Sequence, residues 1–171
     1  MKKIHTTKSK INQNLDSLII NAIDFLKKSI AELKVSPKYS VINFCSAIEL
    51  FLKSRLLIEH WSLIISKPER ANFTNFISGN FHSTSMQETI IRLKNIIGED
   101  IGKKAQNKFN IVRNHRNQLI HFFEKNFTEK PDGKILEKII SEQYSAWFFL
   151  YSLLTQKWRI FFEDYLSNRR S

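Results

Sequence analysis

The segment RNHRNQLIHFF, Arg113–Phe123, carries two arginines, two histidines and two asparagines before it turns apolar. An α-helix turns about 100° per residue, so Arg113, Asn117 and His121, spaced four apart, share one stripe. Asn110 and Asn114 fall on the same side, and Phe109, Val112, Leu119, Ile120 and Phe123 point the other way, toward a core. Arg116 lies about 140° from His121 and borders the apolar side, so its long stem must reach round or face a second subunit. These residue types suit a solvated helix face with i,i+4 pairs, and they also suit a small active site. Two features weigh toward the site. Lys and Glu usually fill an exposed face, whereas Arg, Asn and His fill this one. From Lys103 to Phe123 there is also no acid, so Lys103, Lys104, Lys108, Arg113 and Arg116 concentrate a positive field around His121.

The positive field extends beyond this segment. The chain has 171 residues with 27 Lys and Arg against 16 acids, a net charge of +11. That balance favours an anionic partner, most simply nucleic acid, or an acidic protein. The length suffices for one domain with a real core, and 14 phenylalanines predict an aromatic-rich one. The single Cys45 forms no internal disulfide, which fits a reducing compartment, and reads as a small buried hydrophobe. The basic start MKKIHTTKSK is followed by no long apolar stretch, and Ala146–Leu154 is short of the roughly 20 residues a membrane span needs. A cytoplasmic protein, without a membrane, is expected.

Helices must position the polar cluster. Apolar residues recur at helical spacing almost throughout, and no alternating strand pattern occurs. A first helix is expected over about Asn12–Lys34, with the stripe Leu15, Leu18, Ile19, Ala22, Ile23, Leu26 and Ile30. Ser36-Pro37 opens a second, running to about Ile65. A loop over 66–84 holds a short helix near Arg70–Ile77. The residues Ser85-Met-Gln-Glu88 form a capping box for a third helix ending at Gly98. The fourth covers about Lys103–Lys125, KPDG at Lys130–Gly133 turns the chain, and a fifth covers about Lys134–Leu166. The expected architecture is an all-α, antiparallel bundle of about five helices. The aromatics of the fifth helix recur at core spacing and are expected in the core, with stacking on bases open to one or two exposed ones.

Other candidates carry less. His60 beside Trp61 reads as a packed or interfacial histidine, and His82 as a solvated loop residue. No His or Cys pair has metal-ligand spacing, and no Gly-rich phosphate loop is present. His115 lies well round the helix from His121 and is a minor candidate for RNA contact.

Arg116-Asn117-Gln118-Leu119-Ile120-His121 resembles the RNxxxH motif of HEPN domains, all-helical modules of prokaryotic toxin–antitoxin, abortive-infection and CRISPR systems. The family pattern is an arginine, usually a polar residue next, and a histidine after four to six intervening positions. Ser46–Leu57, SAIELFLKSRLL, is similar to the family's early helix, with Glu49 and Lys53 one turn apart. The likeness covers most of the chain, residues 1–171 then forming a single HEPN-like domain. It implies a metal-independent endoribonuclease without cofactors, acting on RNA as a homodimer whose motif helices meet in one composite site. It implies that His121 is the general acid/base, that Arg116 binds the scissile phosphate, and that Asn117 orients His121 or the phosphate. Arg113 is then a second phosphate ligand, or the main one if the site lies within one subunit. Lys103, Lys104 and Lys108 would join Arg113 in holding RNA. Glu49 either orients the site or forms an ordinary i,i+4 pair with Lys53. The implied setting is toxin–antitoxin or antiphage defence, with an antitoxin or other regulatory partner. The alternative is a non-catalytic HEPN-like module that binds RNA or a protein through its basic face.

Overall fold

The structure is a computed structural model describing residues 2–121 and 133–167, with side chains described over 8–120, at 134 and over 137–167. The expected end of the fourth helix at Lys125, the core position Phe123 and turn residues 130–132 lie outside the described residues. The fold is all-α, as expected, with seven α-helices among the described residues: α1 (Lys2–Glu32), α2 (Pro37–Glu59), α3 (Phe73–Ile77), α4 (Met86–Asn95), α5 (Lys103–His121), α6 (Gly133–Ser152) and α7 (Arg159–Ser167). There is no strand among the described residues, only an isolated antiparallel bridge between Ile65 and Ser83. The chain divides into two compact units, Met1–Ala22 with Glu49–Asp100 and Ile23–Ile48 with Ile101–Ser171.

In the first unit, Ile19, Phe51, Leu52, Leu56, Phe76, Met86 and Leu93 are buried. Pro37 begins α2 because its missing N–H is one that the first turn would leave unpaired. The Ser36 carbonyl accepts the first bonds, from Tyr39 N–H at 2.9 Å and Ser40 N–H at 3.1 Å. The helix ends at Glu59, short of the expected Ile65. There His60, exposed rather than packed, accepts from the Ser62 N–H through Nδ1 and caps a 3-10 turn over Trp61–Ile64. The capping box at α4 is present: Ser85 Oγ accepts from Glu88 N–H at 3.2 Å, and the Glu88 carboxylate accepts from Ser85 N–H at 2.8 Å. The helix stops at Asn95, and Gly98, at φ +74, reverses the chain so that Glu99 N–H reaches the Leu93 carbonyl. Arg55 is buried and pairs with both Glu59 and Glu99.

In the second unit, Phe44, Cys45, Phe109, Val112, Ala146, Leu150, Trp158 and Phe162 are buried. Ile30 was expected in the core stripe of α1 but is 57% exposed; Ser29 is buried instead. The reason is a polar chain. Gln143 Nε2 donates to Ser40 Oγ at 2.8 Å, and Ser40 Oγ donates to the Ser29 carbonyl at 2.7 Å. Ser29 Oγ in turn donates to the Leu26 carbonyl, so α1, α2 and α6 meet around a hydrogen-bonded polar chain in which Gln143 Oε1 alone finds no partner among the described residues.

The expected fifth helix is broken. After α6 comes a π-helical segment, Leu153–Lys157, closed by Trp158 N–H on the Leu153 carbonyl at 2.7 Å, and then α7. Ala146, Leu150, Leu154, Trp158 and Phe162 recur every four residues. In an ideal α-helix such a series drifts by roughly 160° over its length. The wider π turn absorbs that drift, and all five stay buried.

Candidate functional site

The α5 helix is anchored through Ala105, Phe109, Val112 and Leu119, all buried. Ile120, expected beside them, is 51% exposed. Lys103, Lys104, Asn107, Asn114 and Gln118 are exposed, while Lys108, Asn110, Arg113, Arg116 and Asn117 are half-buried. The polar stripe is thus not a freely solvated face. Among the described residues, Arg113 Nε and Asn110 Oδ1 are buried and find no hydrogen-bond partner. Arg116 is half-buried and engaged in an interaction within the fold. His121 is the last residue of α5, and its side chain lies outside the described residues.

His115 is half-buried and turned to α6. Its Nε2 lies 2.7 Å from Glu142 Oε2 on α6, with the two side chains 19% and 20% exposed, and its buried Nδ1 has no partner among the described residues. The pair bolts α5 to α6 at the level of the motif. Glu142 was missed in the sequence because nothing local to α5 specifies a partner on another helix.

Glu49 belongs to the first unit, and α5 to the second. Its carboxylate lies 3.9 Å from Lys53 Nζ, one turn on, and that Nζ also donates to Ser83 Oγ at 3.0 Å. The geometry is that of the ordinary i,i+4 pair.

No family model, curated protein or solved structure matches this chain.

Among the described residues, no three His, Cys, Asp or Glu side chains gather as a metal ion would require. No described helix is long and apolar enough to cross a membrane.

A surface feature of α6 also escaped the sequence. Tyr144, Trp147, Phe148 and Tyr151 were expected in the core with the other aromatics of this segment, but all four are exposed. Trp147 and Tyr151 stack with ring centroids 5.2 Å apart. Their spacing of three and four residues places them on one stripe, about 120° round the helix from the buried Ile139, Gln143, Ala146 and Leu150. Apolar periodicity marks both stripes equally, and only the packing distinguishes them.

Proposed function

We propose that the chain is a HEPN-type, metal-independent endoribonuclease with Arg116, Asn117 and His121 at its reacting centre. The observation that carries this reading is the composition of α5. It is an acid-free helix that holds Arg113, Arg116 and Asn117 half-buried just ahead of its terminal His121, with Lys103 and Lys104 exposed one end away. Half-burial strengthens a guanidinium's pull on a phosphate relative to a fully hydrated one. An imidazole, with an ordinary pKa of about 6.5, exchanges protons near neutrality.

The reaction is an internal transesterification. A base takes the proton of the ribose 2′-OH, the 2′-oxygen attacks phosphorus, and the bond to the 5′-oxygen breaks. An acid returns a proton to that oxygen, leaving a 2′,3′-cyclic phosphate and a 5′-hydroxyl. His121 supplies proton transfer, Arg116 and Arg113 stabilise charge on the phosphate, and Asn117 orients the imidazole or the phosphate. Lys103, Lys104 and Lys108 track the strand. Action as a homodimer is part of the proposal, and the exposed aromatic stripe of α6 has the residue types enriched at protein interfaces. So are restraint by an antitoxin or other partner, and a role in toxin–antitoxin or antiphage defence.

A second reading rests on Arg116. Its engagement within the fold is what a structural arginine would show. The chain would then be a non-catalytic module that binds RNA or a partner through its basic face.

The test is RNA cleavage by the wild type and His121→Ala with EDTA present. Cleavage by the wild type alone, yielding cyclic-phosphate ends, is the expected result. Equal cleavage by both would overturn the chemistry, and RNA binding without cleavage by either would favour the second reading.

A further inference from the structure

The first unit carries a bowl of about 480 Å³ whose lining includes Lys67, Arg70, Asn75, Asn80, Phe81 and His82. That is within the usual range for a small-molecule site, roughly 300–1,000 Å³. Its two walls are tied together. Ser66 N–H donates to the His82 carbonyl and Thr84 N–H to the Ile64 carbonyl, each at 2.9 Å. Arg92 donates to the carbonyls of Leu63, Ile65 and Ser66 at 2.6–2.9 Å, fixing one wall to α4. Behind the bowl, Phe76 packs on Trp61, Phe73 and Phe81. The concavity is built into the packing of the unit.

Its chemistry is specific. No acid lines it. Lys67 and Arg70 bracket a 3-10 turn, closed by Arg70 N–H on the Lys67 carbonyl at 2.9 Å. Lys67 is the N-cap of that turn, Arg70 is its last residue, and both side chains line the bowl. Glu69 falls elsewhere on the turn and does not line the bowl. Neither cation forms an ion pair with a described residue. The Asn72 side-chain oxygen accepts from Asn75 N–H, but the side-chain amides of Asn75 and Asn80 make no hydrogen bond to a described residue. Each therefore offers both a donor and an acceptor. Phe81 is half-buried on Phe76, with ring centroids 5.7 Å apart, so part of its ring remains open.

We infer that this bowl binds a nucleoside monophosphate. Lys67 and Arg70 take its phosphate, Phe81 takes the face of its base, and Asn75 and Asn80 pair with the base edge. An anion alone would need only the cations. An apolar ligand would leave the cations and amides without partners. The inference does not rest on the ribonuclease proposal, since the bowl lies in the first unit and uses no residue of α5. The same chemistry is offered by a free nucleotide and by the 5′-phosphorylated end of an RNA strand.

The experiment is calorimetric titration of the full chain with AMP, GMP, CMP and UMP, beside inorganic phosphate and the four nucleosides. At least one nucleotide should bind with Kd below about 1 mM, more tightly than phosphate or its nucleoside. Lys67 and Arg70 are exposed, so Lys67→Gln and Arg70→Gln should fold normally, and each should weaken binding roughly tenfold. Asn80→Ala should reduce discrimination among the bases while leaving phosphate binding unchanged. No binding by any nucleotide would overturn the inference. So would phosphate binding as tightly as every nucleotide, or affinities unmoved by both charge substitutions. A 5′-phosphorylated 2′-O-methyl oligonucleotide that displaces the nucleotide assigns the bowl to strand ends. One that fails to displace it assigns the bowl to free nucleotide.

Discussion

Replacing Glu142 tests whether His115 serves the motif as a brace. The side chains lie 2.7 Å apart and are about four-fifths buried, so the contact is neither a loose surface pair nor a fully desolvated one. An exposed pair contributes about 0–1 kcal/mol, and a hydrogen bond to a charged group about 1.5–3 kcal/mol. Glu142→Ala removes the partner of Nε2 while Nδ1 has none among the described residues, leaving the imidazole without a hydrogen bond to any of them. The cost should fall in the lower half of the second range, about 2 kcal/mol. Glu142→Gln keeps an acceptor of the same shape and should cost about half as much, on the order of 1 kcal/mol. At about 2–4 °C per kcal/mol for a chain of this size, Glu142→Ala should lower Tm by roughly 4–8 °C. Urea unfolding of both single variants and the double variant with His115→Ala closes a cycle whose coupling should be about 1–2 kcal/mol. Additive effects, or a change below about 0.5 kcal/mol in Glu142→Ala, would refute the brace.

Other consequences are equally direct. The Ser85 backbone N–H, and then the Ser85 hydroxyl, hold the Glu88 carboxyl below its ordinary pKa. A depressed carboxylate contributes stability above its unfolded pKa and loses it as pH falls through the folded one. Glu88→Gln should therefore destabilise the protein at about pH 6 and make little difference near pH 3, as urea midpoints at the two values will show. A larger loss at the acid end would contradict the capping geometry. Trp158 is fully buried below the π turn, so Trp158→Ala should cost about 3–5 kcal/mol in chemical denaturation. A cost under about 1 kcal/mol would mean that the site collapses around the gap.

The parts of the fold legible in the sequence are those specified by neighbours along the chain. Ser85 and Glu88 satisfy each other within four residues, and the start of α4 was accordingly read correctly. The parts that were not legible depend on distant partners. Ser29 displaced Ile30 from the core because Ser40 and Gln143 supply its polar company. The π turn was hidden because a series spaced by four is compatible with a helix for two turns and drifts only later. On the candidate site, the sequence distinguished the anchored side of α5 from its polar side, Ile120 apart. It did not show that Arg113, Arg116 and Asn117 are half-buried, since burial there is set by neighbouring elements. The bowl on the first unit had no signature beyond a Ser- and Asn-rich loop, because its walls are joined by backbone bonds that any residue can make.

The three tryptophans sit in three different surroundings, which equips the protein with intrinsic optical reporters. Trp61 is the sole indole of the first unit and packs against Phe73 and Phe76 behind the bowl. In the second unit, Trp147 is 37% exposed and Trp158 is fully buried. Iodide should quench the emission of Trp147 and spare that of Trp158, so anything that covers the α6 stripe will register as a loss of quenching. A chain carrying Trp147→Phe and Trp158→Phe would emit from the first unit alone. Its denaturation curve, laid over that of a Trp61→Phe chain, would separate the melting of one unit from that of the other without any external label.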